Sequence, residues 1–527
     1  MNEVVNIFEM ETAIKVAYIV QELNQASLNT QLKKSAQAHV LNPEVDLANL
    51  KDEVRRAFRE SGQEKLLKNA VYKQLSQFPP TENPDAPLEH IKEPLAYIRR
   101  AQLNWEKRIV KSLNSMCTEL SIPLARKRGL SEQKELKNAW NELGTDEPDL
   151  TAFRPVYAPK DFLDALVTVK NPHQQLTHNP LQKSWGLIQI PLKVKTVAEL
   201  KSCYCDLSPS NAQIGVENLS SLNAGFENEA VKFGRKVINE NQCPLAQLYA
   251  KQGCPTTLRS EIWSNILGVT TDDVDCLYYE QLKKYAIQHD MLVDDLMYKD
   301  VKLTATNDDQ YFVFEDNLYQ VLFLFSRDTY ILKHFANSSA IPAKSYIRGM
   351  LGVDDYSVVY PPNGVIPFHG FSMLLVPLCF VFDDPVKLYF NFRELYCRHF
   401  HRLHTISSHE QGILSICVLF ETILQCRQPQ LFLHLKEKGA HPLKIAFKWL
   451  MRAFSGYLAA DQLLYLWDRI LAYGTLELLA VLAAAIFSFR RVNLMETSSY
   501  AAAEAVLADI TTMKVLPLLQ VFLFSNS

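Results

Sequence analysis

Leu463, Leu464, Trp467, Ile470 and Leu471 recur at the three- and four-residue spacing that lines side chains up on one face of a helix. The same rhythm returns in segment after segment from about residue 228 onward. Only 17 glycines interrupt the 527 residues, well under the average share of roughly 7%. A chain patterned this way buries its apolar stripes by packing helix on helix, so the fold class expected is all-α. Helices are expected over 311–325, 390–403, 413–424, 443–454 and 461–471. In the last of these, Asp468 and Arg469 are expected to point away from the apolar face, Gly474 to end the helix and Thr475 to cap the next. Two strongly apolar runs, 371–382 and 478–489, read as buried core helices, the first interrupted by Pro377. At 12 residues each they fall short of the roughly 18 needed to span a membrane. The chain is therefore expected to be soluble and cytoplasmic, with membrane contact only through a partner.

The N-terminal half is less regular. Residues 10–78 read as helical, with Ile14, Ala17, Val20, Leu23 and Leu28 near a 3.6 period and a second helix over 47–58. Five prolines between 79 and 94 mark a linker. A helix over 95–120 follows, and from Lys92 to Arg128 nine Lys or Arg stand against three Glu. Such a stretch fits either an acidic partner or lipid headgroups, or a solvated helix face. Residues 144–182 show little periodicity, 186–194 suggests a short strand, and the Ser/Asn-rich 206–225 is the best boundary. The organisation expected is a helical segment 1–78, a linker 79–94, a helical and loop-rich region 95–225, and a helical domain 226–527.

Much chemistry is excluded by what is missing. A net charge of −3 gives no pull toward nucleic acid. The ten cysteines contain no CxxC pair, and the acidic start is unlike a secretory leader, so the thiols are expected to stay reduced. No glycine-rich phosphate loop, GxSxG or HExxH string occurs, so the chain is not itself a nucleotide hydrolase. His399, His401, His404 and His409 crowd one stretch. If that stretch is helical, His401 and His404 share a face, but no Cys or carboxylate stands at ligand spacing, so neither a metal nor a cofactor is expected. The paired acids at 272–273, 294–295, 308–309, 354–355 and 383–384 read as caps and turns.

One string adds a resemblance. "QGCPTTLRSEIWSNILG", 252–268, carries Gly253, Pro255, Arg259, Trp263, Leu267 and Gly268. "IAFKWLMRAF" around Trp449 and "LYLWDRIL" around Trp467 and Asp468 follow. Together they resemble the ordered motifs of TBC domains, the helical modules of Rab GTPase-activating proteins. The helical spacing alone puts Trp263 in the core and Arg259, one turn away, in an ion pair. The resemblance implies a two-lobed helical domain preceded by a mainly helical region, a Rab-family small GTPase as partner, and a place in membrane trafficking. In the family an arginine and a glutamine enter the partner's nucleotide site. The arginine motif, Ile-x-x-Asp-x-x-Arg, falls on "MYKDVKLT", 297–304, so Asp300 matches the acid and Leu303 takes the arginine's place. Lys302 stands one residue earlier, about 100° around a helix. The glutamine motif, Tyr-x-Gln-Gly-Met, falls on "PFHGFSM", so Gly370 matches its glycine and His369 replaces the glutamine, at the start of an apolar helix. A helix N-terminus disfavours imidazolium, so His369 is expected neutral and able to hold a water. Two readings stay open. One is a Rab-binding or scaffold protein without acceleration. The other is an activator using Lys302 and His369, or a displaced arginine such as Arg327 or Arg348.

Overall fold

The computed structural model describes residues 15–41, 50–75, 96–145, 149–169, 186–187, 190–216, 222–305, 311–336, 345–350 and 355–525. Helices dominate, as the periodicity requires. The strands among the described residues form two antiparallel ribbons, Ala125–Lys127 with His289–Met291 and Ser345–Met350 with Asp355–Tyr360. The strand expected over 186–194 does not form among its described residues. The Leu187 N–H is taken by Glu421 Oε2 at 2.7 Å, a side chain rather than a neighbouring strand.

The helices gather into two groups. Asp273–Gln288, Leu292–Asp300, Glu315–Arg327 and Pro385–Arg398 pack together, as do Ile413–Arg427, Pro442–Met451, Glu477–Phe489 and Val515–Phe524. Arg259–Leu267 and Ala460–Tyr473 pack on each other at the seam. The expectation that Asp468 and Arg469 face away fails here, because this helix is covered all round and both residues are 0% exposed. Their charges are compensated instead. Asp468 accepts from Arg259 Nε and Nη2 at 3.1 Å each, from Trp263 Nε1 at 2.8 Å and from the Cys254 N–H at 3.2 Å. Arg469 donates to Gln213 Oε1 and the Ile214 carbonyl, both at 2.8 Å. Its guanidinium lies where a Cβ on Gly253 would fall, 2.8 Å away, so the position takes glycine. Pro255 is buried beside them, and Trp467 Nε1 donates to the Ala453 carbonyl at 3.1 Å.

Gly474 ends its helix in the left-handed region at φ 63°, and Thr475 Oγ1 accepts from the Glu477 N–H at 3.2 Å. Asp272 and Asp384 cap their helices. Two long helices expected from apolar runs are shorter. Residues 371–382 give a 3-10 turn, Phe371–Leu374, and one helical turn, Val376–Cys379, opened by Pro377, whose ring cannot continue a preceding helix. The run 390–403 breaks at His399, between Pro385–Arg398 and the turn Phe400–Leu403. His401 and His404 therefore share no helix. Both are buried, within reach of the Tyr396 carbonyl at 3.3 Å and the Met451 carbonyl at 3.0 Å.

The N-terminal region is mainly helical and packs onto the rest. Ala96–Leu120 brings Trp105 edge-on to Tyr157 at 5.1 Å between ring centres; Tyr157 meets Phe368 at 5.9 Å, and Phe162 meets Phe447 at 6.1 Å. The buried apolar residues form one cluster running from Ile98 to Leu523. Farther upstream, Gln63–Leu75 docks through Lys73 and the buried Glu394 at 3.0 Å. The proline-rich 79–94 lies outside the described residues.

Candidate functional site

Helix Leu292–Asp300 runs into a π-helical turn, Val301–Ala305. Leu296, Lys299, Asp300 and Leu303 stand at i, i+3, i+4 and i+7, the spacing of one helix face. Asp300 is buried, and its carboxylate accepts from the backbone N–H groups of Gly370 and Ser372, the latter at 2.8 Å. The acid of the first motif string thus caps the turn that carries the second. In consequence Leu296, Lys299, Asp300 and Leu303 face Pro367, Phe368 and His369 across one small cavity, with Pro155 as a further wall. Its volume is about 10 Å³, the threshold for a single water. Leu303 is 47% exposed at its edge.

His369 is held at both backbone groups. Its N–H donates to the Tyr157 carbonyl at 3.0 Å, and its carbonyl accepts from Arg452 Nη2 at 2.8 Å. Gly370 adopts φ 96°, and a Cβ there would lie 2.1 Å from the Arg452 Cζ, so the guanidinium occupies the space a side chain would need. The ring of His369 is 36% exposed; its Nδ1 is buried without a hydrogen-bond partner, 3.8 Å from Asp300 Oδ1. Burial holds the imidazole below its ordinary pKa; Arg452 acts in the same direction and Asp300 against it. The ring is therefore neutral at pH 7, as expected, but for a different reason. The element after it is a four-residue turn rather than a helix, so desolvation does the work and not a macrodipole.

Two of the cations proposed from sequence, Lys302 and Arg327, are held in ion pairs. Lys302 pairs with Glu315 Oε1 at 2.6 Å, donates to the Gly144 carbonyl at 3.2 Å, and does not line the cavity. Arg327 is buried, and both its terminal nitrogens donate to the Asp294 carboxylate, with Nη2 also on the His289 carbonyl at 2.9 Å. Freeing it would leave Asp294 in the core with only Arg128, at 3.5 Å, as a cation, which weighs against the displaced-arginine role for this residue, and Asp294 is an ion-pair partner as well as a cap. Arg348 lies on Ser345–Met350, its side chain outside the described residues. Trp449 is buried against Phe454, away from the cavity.

Three residues of the site went unnoticed in the sequence. Lys299 was legible from helical spacing, four positions before Leu303. Tyr157 and Arg452 come from remote segments and carry no local signal. Much of the basic stretch is likewise structural: Arg108 pairs with Asp161, Arg126 with Glu132 and Asp290, and Arg128 donates to the Ala286 and His289 carbonyls and to Asp290. Lys107 and Lys111 line an open trough with Leu103. Among the described residues no cluster of His, Cys, Asp and Glu is placed to hold a metal, and no helix is long and apolar enough to cross a membrane.

The chain is similar to known proteins. The Rab-GTPase-TBC domain profile matches residues 367–495, starting inside the loop that carries His369. TBC1 domain family member 19 of Homo sapiens is 60% identical over 520 residues, covering 98% of this chain and 99% of that protein. Two solved structures are similar at low identity. The Chlamydomonas flagellar RabGAP TBC domain is 14% identical, over 56% of this chain and 91% of that one, with a TM-score of 0.40. The Ypt/Rab-GAP domain of Gyp1p is 12% identical, over 62% and 98%, with a TM-score of 0.37.

Proposed function

The chain belongs to the TBC1 domain family, whose Rab-GTPase-TBC domain it carries, and on that premise we propose that it binds a Rab-family GTPase and stimulates GTP hydrolysis only weakly. The observation that carries this reading is the Asp300 bridge. It brings Leu303 and His369, which the motif resemblance sets at the two finger positions, to one cavity, and Leu303 is aliphatic. An arginine there would offset charge growing on the γ-phosphate, an effect worth roughly 10³ to 10⁵ in rate. Leucine offers no charge and no donor. His369 retains part of the other role. Asp300 favours the tautomer protonated at Nδ1, which leaves Nε2 an acceptor for the attacking water. Such a protein works in the cytoplasm and reaches membranes through its GTPase.

Single-turnover GTP hydrolysis across a Rab panel, with binding measured in parallel, tests the reading. Binding to at least one GTP-loaded Rab is expected, with stimulation well below about 10³-fold. Stimulation at or above that level by the wild-type chain overturns it. A fully competent activator is the second reading, and the Nε2 acceptor favours it; there, His369→Ala would abolish a large stimulation rather than a small one.

A further inference from the structure

The cavity has one cation in its wall, and it is not the one beside the motif's arginine position. Lys299 lines the cavity with Leu303, on the same helix face and one turn earlier, a displacement of about 6 Å that a lysine side chain can cover. Its ammonium is turned out of the cavity, toward the loop 149–155, where it donates to the main-chain carbonyls of Leu150, at 3.0 Å, and Phe153. These acceptors carry no formal charge, unlike the carboxylate that holds Lys302, so they bind an ammonium less strongly.

The loop itself is held from outside. Arg154 reaches Ser112 Oγ at 2.9 Å and Glu119 at 3.5 Å, the latter a surface pair that contributes little. Thr151, Ala152 and Pro155 are exposed. Within the loop only Phe153 is packed, partly buried, against the core; full burial begins after it, at Val156 and Tyr157. Pro155 also closes the cavity that Lys299 would have to enter.

We propose that Lys299 is a latent cation of the nucleotide-facing groove and that the loop 149–155 is the latch that holds it back. When the loop leaves, the two carbonyls release the ammonium and Lys299 swings toward the phosphate that Leu303 cannot serve; in the wild type the latch opposes this even with a GTPase seated on the groove. This rests on the reading of a Rab-family partner and adds to it a gate and a residue.

The test uses the full chain and a double variant, Phe153→Gly with Arg154→Ala, that loosens the loop without altering the groove. Amine-reactive labelling read by mass spectrometry needs no GTPase. Lys299 should label slowly beside the exposed Lys134 in the wild type and quickly in the loosened variant. In GTP hydrolysis with a bound Rab, the loosened variant should exceed wild type by at least about 10-fold, well inside the range a finger cation supplies. Adding Lys299→Ala should remove that gain, and Lys299→Arg should keep it. The proposal is overturned if wild-type Lys299 labels as fast as Lys134. It is also overturned if the gain survives Lys299→Ala, or if a loosened variant that binds its GTPase normally shows no gain. If no GTPase binds either form, the reading of a Rab partner falls and the catalytic half of this proposal falls with it. A slow-to-fast change in labelling would then still support the latch.

Discussion

On the proposed reading, Leu303 is the residue where this site would part from the family's chemistry. Leu303→Arg would supply a planar, permanently charged fork at a half-exposed position. We expect it to raise single-turnover hydrolysis by a bound Rab at least about 10-fold, part of the 10³ to 10⁵ that a well-placed finger gives. The residue with most weight in the fold is Asp468, whose carboxylate takes four donors while fully buried. Removing one partner of a buried pair strands the other. Arg259→Ala should therefore cost about 3 to 5 kcal/mol in urea unfolding, and Asp468→Ala at least as much. The sequence showed Trp263 as core and Arg259 as an ion-pair member because four-residue spacing is a local property. It did not show Asp468 as the partner. That pairing closes a loop of 209 residues, and an acid on the polar side of an amphipathic pattern reads as solvated unless the covering helix is known.

At the scale of elements, the turn after His369 is the part most exposed to small changes. Gly370→Ala must adopt φ 96° and displace the Arg452 guanidinium from the His369 carbonyl. A loss of roughly 1 to 3 kcal/mol is expected, measured by chemical denaturation, together with loss of whatever stimulation His369 supports. The turn rests on His404, whose ring packs on Phe368 at 4.6 Å and whose pKa burial pushes down to about 4. A histidine kept neutral in the fold favours the unfolded chain once that chain starts to bind its proton near pH 6.5. Stability is then lost as pH falls from about 6.5 toward 4, by about 3 kcal/mol for this group. In urea titrations at pH 7 and 4.5, His404→Gln should show a smaller drop than wild type. The long periodic helices were legible to within a few residues, as with Glu477–Phe489 and Ala460–Tyr473. Apolarity without period misled at 371–382, since a buried run need not be a helix and Pro377 permits only a short one.

For the whole molecule, the continuity of the core decides what can be cut. Tyr157 holds His369, the carbonyls of Gly144, Leu150 and Phe153 satisfy lysines beside the cavity, and the Gly144 N–H donates to Asp316 at 2.6 Å. A chain reduced to residues 226–527 would deprive Phe368 of Tyr157 and Phe447 of Phe162. We expect that fragment to unfold at lower urea with a broadened transition, or to aggregate, where the full chain unfolds cooperatively; a sharp transition at the full chain's midpoint would contradict this. None of these hydrogen bonds was visible in sequence, because each joins segments more than a hundred residues apart through a main-chain group that any residue possesses. The contact of Phe162 with Phe447 also fixes an order of events during synthesis. At about 5 to 20 residues per second, the first ring leaves the ribosome roughly 15 to 60 seconds before the second exists. For that interval the nascent N-terminal half presents its greasy side unmatched, a standing invitation to chaperones.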